Sequence, residues 1–308
     1  LPRRSRSSGF EYTHKCAVEA HLIPQISGLL LFRMMKPEKS IQAHQASKKA
    51  RGIRQSWPYL MIPFAIIFAL LLWESASRWS GLPAFILPSP AAVFHRSLRA
   101  IQDGTLFRHT LATLIEVLGG LTLGTISAII LGYGLAKSRT VERFLSPYIV
   151  ASQSIPIVAI APILVIWFGP GRLSKIMISA LIVFFPILIN TIVGIRSVPE
   201  DLRDLMRSLR ATRWQVFSQL EVPAAMPVLL GGLKVGATLS VIGAVVGELV
   251  GANEGLGFLI NIGRGVYDTT LVYVSVFVLI ALAMSLFSLV VLLERYLLAW
   301  RDPGNPKL

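Results

Sequence analysis

Four side chains with chemistry to offer, Glu116, Asn190, Lys234 and Glu248, fall inside apolar runs long enough to cross a bilayer. A charge or amide at membrane depth is costly, so each faces a solute pathway or a partner group inside the protein. Glu116, Asn190 and Glu248 are the candidates for a translocation path. For the two glutamates a gate role and an interhelical hydrogen bond or ion pair are equally open, and Asn190 also suits helix-to-helix hydrogen bonding. Lys234, one to two turns into its run, can reach the surface along its stem. Catalysis has no comparable set. Cys16 is the single cysteine, His14, His21 and His44 lie in a polar N-terminal stretch, and His95 and His109 stand alone outside the apolar runs, where a lone histidine reads as a solvated surface residue. No catalytic residue, metal site or cofactor is therefore assigned. No Gly-Lys dipeptide occurs, so the loop that cradles ATP phosphates is missing and any ATP-driven step needs another chain.

These side chains need long apolar helices to position them. The sequence is 54% hydrophobic and 15% charged, against about 25% charged in soluble domains, and reads as an all-α polytopic membrane protein. Six transmembrane helices are predicted near 58–78, 111–135, 145–168, 174–195, 228–250 and 272–297. The third carries Pro147, Pro156 and Pro162, which predicts a kinked or broken helix inside the bundle, where neighbours satisfy the freed carbonyls. Glycines at 119, 120, 124, 132 and 134, and at 231, 232, 236 and 243, permit close helix contact.

The net charge of +14 is concentrated in residues 1–56, where eleven Lys and Arg meet three acids. That excess describes a basic, disordered cytoplasmic tail near anionic lipid rather than a nucleic-acid-binding face. The chain opens at Leu1, and Met34 and Met35 precede the polar approach to the first span, so translation is expected to begin there and residues 1–33 not to be made. With both termini inside, 22 Lys and Arg are cytoplasmic and seven external; without the tail the split is still 11 to seven. The expected divisions are a tail at 1–56, a transmembrane domain at 57–300 and a cytoplasmic end at 301–308.

One cytoplasmic stretch, DLMRSLRATRWQVFSQLEVPAAMP at 204–227, is too polar to span. It has helical propensity from Leu202 to Val222 with arginines at 203, 207, 210 and 213, and Pro223 and Pro227 are expected to end the helical run before the next span. It reads either as an interfacial helix on the bilayer or as a docking element that a cytoplasmic partner moves.

Asp204, Met206, Ala211-Thr212, Trp214, Phe217 and Val222-Pro223-Ala224-Ala225-Met226-Pro227 resemble the EAA loop of ABC importer permeases. Ile86-Leu87-Pro88-Ser89-Pro90, the run from Pro156 to Pro162, Trp167-Phe168-Gly169, Ser174-Lys175 and the run from Phe185 to Thr191 resemble the nitrate, sulfonate and taurine group of these permeases. The resemblance covers residues 57 to 300. It implies a permease that dimerises, pairs with two ATP-binding subunits and receives solute from an extracytoplasmic binding protein. Asp204, Met206, Leu209, Arg210, Ala211, Thr212, Trp214, Phe217, Pro223 and Pro227 would then form a cytoplasmic coupling-helix loop that docks on the ATPase. The chain departs from the pattern at Arg210, where the family has a glycine at the turn, and at Asp204, where it has Glu. The turn then either has ordinary backbone geometry or Arg210 makes a charged contact with the ATPase.

The run from Ile242 to Ala252, Glu254-Gly255-Leu256-Gly257 and Asp268-Thr269-Thr270 look more like the branch that imports riboflavin or the pyrimidine precursor of thiamine than the sulfonate branch. A planar heterocycle suits an apolar path with few fixed charges, whereas a sulfonate, taurine or nitrate favours cationic contacts. A stand-alone channel or secondary transporter using Glu116 and Glu248 as ion sites is the rival of another class; it lacks an internal repeat in the sequence and leaves the cytoplasmic stretch unexplained. An integral-membrane enzyme would need a His cluster or paired acid motif at a membrane face, and neither is present.

Overall fold

The computed structural model describes residues 63–83 and 85–299, and among them there is helix and loop but no strand. The expectations for residues 1–56, for translation starting at Met34 or Met35, and for residues 301–308 all lie outside the described residues. The chain divides into two units, Leu1–Leu71 and Leu72–Leu308. Of the first, residues 63–71 are helical, and that helix, α1, continues to residue 79.

Ten helices make up the described chain. After α1 come α2 (Pro90–Gln102), α3 (Thr105–Lys137), α4 (Arg139–Gln153), α5 (Ile157–Phe168), α6 (Arg172–Arg196), α7 (Glu200–Ser208), α8 (Arg213–Gly251), α9 (Leu256–Gly265) and α10 (Thr269–Leu297). Four of them, α3, α6, α8 and α10, are long and apolar enough to cross a membrane, and α4 with α5 makes a fifth if the bent pair is one span. The predicted first span lies partly outside the described residues, and its described part is helical. Two helices between spans, α2 and α9, were not anticipated. Helix α2 starts where Ser89 accepts a hydrogen bond from the Ala92 amide at 3.3 Å with Pro90 in the first turn, a sequence-encoded N-cap.

Helix α6 is the centre of the bundle, held between α3 and α8. Both neighbours present glycines to it. A Cβ at Gly120 of α3 would lie 2.2 Å from Ser179 Oγ, and one at Gly243 of α8 would lie 2.6 Å from Ser179 Cα. Gly124, Gly132, Gly232 and Gly236 meet α6 in the same way, whereas Gly134 and Gly231 face open space. Without a solvent-driven hydrophobic force in lipid, this close backbone approach is what lets helices adhere. Ser179 uses it to donate a hydrogen bond to the Ser240 carbonyl at 2.9 Å. A second apolar cluster joins α3, α8, α9 and α10 around Val117, Val241, Leu256, Val274 and Leu282. Trp73 of α1 stacks on Tyr273 at 5.4 Å and donates to the Pro88 carbonyl at 3.1 Å.

Two expectations are corrected. The proline-rich third span is broken, α4 and α5 meeting at 92° across the segment ending in Pro156, because the residue before a proline disfavours helix. It does not lie inside the single chain: α4 has no buried residue and α5 only Ala161. The helical run before the fifth span does not end at Pro223 or Pro227. Helix α8 runs 39 residues from Arg213, with Pro223 in the first turn of its α-helical part, Pro227 one turn further in, and a π-helical segment at Val216–Glu221 just before them. A proline inside a helix removes one amide from the ladder and crowds the preceding turn, and the π-helical segment next to Pro223 absorbs the local misfit.

Candidate functional site

The candidate residues fall at the two ends of α8. From Glu221 to Glu248 its rise is roughly 40 Å, so the ends act separately.

At the first end, α7 is closed by a Schellman motif. The Arg210 amide donates to the Arg207 carbonyl at 2.9 Å and the Ala211 amide to the Met206 carbonyl at 3.0 Å, the pair of reversed bonds that defines it. Its pivot is Arg210, at φ 54°. The turn thus has the left-handed geometry that a glycine would provide, carried by an arginine at a cost of about 1 kcal/mol. Thr212 then starts α8 with a capping box, its Oγ1 accepting from the Gln215 amide and its own amide donating to Gln215 Oε1 at 2.8 Å. The apolar side chains of this loop are turned outward, Leu209 67% and Trp214 71% exposed. Asp204 is exposed and pairs with Arg207 three residues on at 2.9 Å. Met206, Ala211, Phe217, Pro223 and Pro227 are half-buried.

The loop is fastened by a residue that sequence reasoning missed. Glu221, buried, accepts from Lys137 Nζ at 2.6 Å and from the Tyr133 hydroxyl at 3.2 Å, and Arg203 of α7 stands 3.9 Å away. Arg203 also donates to the Ile195 carbonyl at 2.7 Å, and Phe217 meets the Tyr133 ring edge-on at 5.2 Å. Arg196 pairs with Glu142 and donates to the last carbonyls of α3, favourable for a cation at a helix C-terminus. The ends of α3 and α7 are therefore tied to α8 by ion pairs around the Glu221 carboxylate, and α6 joins them through the Arg203–Ile195 hydrogen bond. The sequence signal was an acid next to an apolar run, two residues before Pro223.

At the other end, Glu248 is fully buried but spoken for. Its Oε1 accepts from Thr113 Oγ1 at 2.6 Å and its Oε2 from the Gly257 amide at 2.5 Å. The Leu256 amide donates to Thr113 Oγ1 at 2.8 Å and the Gly255 amide to His109 Nδ1 at 3.0 Å. Three side chains of α3 and α8 thus satisfy the orphan amides that begin α9. His109 is accordingly buried within the bundle and not a solvated surface residue, a correction to the sequence reading. Gly255 sits at φ 113°, and a Cβ there would overlap the Glu248 carboxyl.

Glu116 lies beside Glu248 and Lys175, and all three are buried. Lys175 donates to the carbonyls of Pro170 and, at 2.9 Å, Gly171. Glu116, Lys175, Arg172, Asn253 and Glu254 line a cleft of about 240 Å³. Glu254 receives hydrogen bonds from Arg108 at 2.6 Å and Arg172 at 3.2 Å, which hold its carboxyl below the usual range. Asp268 caps α10; burial pushes its carboxyl up, but hydrogen bonds from Thr270, the Leu271 amide and Arg96 outweigh this and hold it low.

The remaining two polar candidates are structural in placement. Asn190 donates to the Pro186 carbonyl of its own helix at 2.8 Å and packs where Gly232 of α8 leaves room. Lys234 pairs with Glu294 of α10 at 2.5 Å. No group of His, Cys, Asp and Glu that could hold a metal occurs among the described residues.

Comparison with known proteins agrees with this architecture. Residues 120–300 match the family described as binding-protein-dependent transport system inner membrane component. The riboflavin transport system permease protein of Chloroflexus aurantiacus is 46% identical over 264 residues, 85% of this chain and 98% of that protein. The formylaminopyrimidine transport permease protein of Halalkalibacterium halodurans is 36% identical over 81% of this chain and 99% of its own length. The taurine transport system permease protein of Escherichia coli is 30% identical over 82% and 94%. Among solved structures, an inward-facing MetNI methionine ABC transporter shares the fold at a TM-score of 0.54 and 20% identity, covering 64% of this chain and 97% of that one. The chain belongs to the binding-protein-dependent inner membrane component family, as the multi-pass permease subunit of an ABC importer.

Proposed function

We propose that this permease imports riboflavin or a related heterocyclic vitamin precursor, delivered by an extracytoplasmic binding protein and driven by two ATP-binding subunits. The single observation that carries the substrate is the 46% identity, over 98% of its length, to a permease named for riboflavin transport, against 30% to one named for taurine. Sulfonate or taurine import by the same mechanism is the second reading, and that relative favours it.

In this reading two copies of the transmembrane domain, residues 57–300, form the translocation path, with both termini cytoplasmic as the basic residues of the sequence favour. The loop from Asp204 to Phe217 meets the ATPase. The outward Leu209 and Trp214 supply the apolar contact, Thr212 and the left-handed Arg210 set the angle between α7 and α8, and Pro223 and Pro227 stiffen the start of the rod. Movement reaches the membrane along α8 and, through Glu221, along α3. Glu116 remains the best placed of the path candidates, since it is the one of the three that lines the cleft. As a transport subunit the chain carries no catalytic step of its own.

Uptake decides between substrates. With its binding protein and ATPase in a host unable to make riboflavin, the permease should sustain growth on riboflavin at micromolar levels. Growth that instead depends on taurine as sulfur source, with no riboflavin rescue, would replace the first reading with the second.

A further inference from the structure

Two carboxyl groups meet where α3 packs on α8. Glu116 and Glu248 are 3% and 0% exposed, and they are hydrogen-bonded to each other, side chain to side chain. An ionised carboxylate accepts hydrogen bonds and cannot donate one, so a hydrogen bond between two of them requires a proton. Only one of the two is placed to be the donor. Glu248 already accepts from the Thr113 hydroxyl at 2.6 Å and the Gly257 amide at 2.5 Å, the pattern of an ionised acceptor with room for a third donor. Thr113 spends its single O–H there and itself accepts from the Leu256 amide. Glu116 has no such support: its Oε2 is shut off from solvent, and no donor among the described residues reaches it. An ionised Glu116 would leave that acceptor bare in the bundle, which is costly. A protonated Glu116 gives a hydrogen bond instead of lacking one.

The charge count points the same way. The buried cation beside the pair is Lys175 of α6, 1% exposed, whose ammonium donates to the Pro170 and Gly171 carbonyls. Arg172, the other cation near Glu116, has a side chain 56% exposed and is tied to Glu254 at 3.2 Å. Two ionised glutamates against one buried lysine would leave an uncompensated negative charge inside the protein. One ionised glutamate against that lysine leaves none. The pair is also not the remnant of a metal site, since no group of His, Cys, Asp and Glu among the described residues could hold one.

We propose that Glu116 and Glu248 form a buried proton-binding site that holds one proton, on Glu116, whose O–H donates to the Glu248 carboxylate. Glu116 is then a positioning residue: from α3 it fixes the carboxylate of α8 that holds the start of α9. The proton also sets what the neighbouring cleft presents, because the Glu116 part of its wall is uncharged and its charges are those of Glu254, Arg172 and Lys175. None of this depends on which solute is carried.

Infrared spectroscopy reads the proton directly. The full-length permease is purified in a maltoside detergent, which has no ester carbonyl, and the carbonyl stretch of a protonated carboxylic acid is recorded at neutral pH, where an ordinary glutamate is ionised and silent in that region. The unaltered protein should show one such group per chain, and the band should move to lower frequency when the chain is made with glutamate carrying a 13C side-chain carboxyl. Glu116→Gln, which keeps a neutral hydrogen-bond donor in place, should abolish the band. Absence of a 13C-sensitive band from the unaltered protein overturns the proposal even if Glu116→Gln does not fold. A band that survives unchanged in Glu116→Gln belongs to another carboxyl and overturns it as well.

Discussion

The two ends of α8 are built on opposite principles. At the Glu248 end, side chains 135 to 146 residues apart in sequence converge on the amides of α9, and almost every polar group has a partner inside the chain. At the Arg210 end, the turn is held by local backbone bonds and a capping box, and the large apolar groups point outward. A fully satisfied buried network rigidifies what it holds. A locally stabilised loop with exposed Leu209 and Trp214 keeps its shape alone and leaves its contacts for something else. The first end is a frame; in the proposed reading the second is a docking element.

If that contrast holds, the largest effect comes from removing the hub of the frame. Glu248→Ala strands the Gly257 amide and the Thr113 hydroxyl in a buried site, and should cost about 3 kcal/mol, read as a lower Tm of the detergent-solubilised protein. An unchanged Tm would mean that α9 does not depend on Glu248. Gly243→Val tests the helix sandwich that supports the frame. With Ser179 Cα 2.6 Å from the new Cβ, overpacking of about 2 kcal/mol is expected, whereas Gly134→Val on the open face should be close to neutral.

At the Arg210 end the expected effects are smaller on stability and, in the proposed reading, larger on coupling. Glu221→Ala leaves Lys137, which is partly exposed, free to reach water, so about 1–2 kcal/mol is expected; ATP hydrolysis should persist while uptake falls. Retained uptake at normal efficiency would show that Glu221 only packs. Arg210→Gly removes a side chain from a left-handed residue and should raise stability by about 1 kcal/mol, without loss of the ATPase from the purified complex. A drop in Tm would mean that the arginine side chain contributes more than its backbone costs.

The same contrast explains what could be read from sequence. The loop around Arg210 is local, so Asp204, Thr212, Trp214 and the proline pair marked it as a docking candidate within one contiguous stretch. Its turn geometry was not legible, because an arginine does not advertise a positive φ. The glycine ridges on α3 and α8 were legible as close contacts, although which of them face α6 was not. Glu116 and Glu248 stood out by their cost in an apolar run. Their partners Thr113, His109 and Lys175 are ordinary residues until folding brings α9 to them, and Glu221 was hidden at the edge of a span. The prolines misled because their effect depends on the turn they occupy, and in α8 a π segment precedes them.

The central claim, that the loop around Arg210 is where an ATP-binding subunit docks, is tested most directly by site-specific cross-linking. In a Cys16→Ser background, single cysteines replace Leu209, Trp214 or Tyr267, and the intact complex is treated with a short bifunctional thiol reagent and resolved by mass. The account predicts adducts between the ATPase and positions 209 and 214 and none from 267. Adducts from Tyr267 alone, or from none of the three, would contradict it.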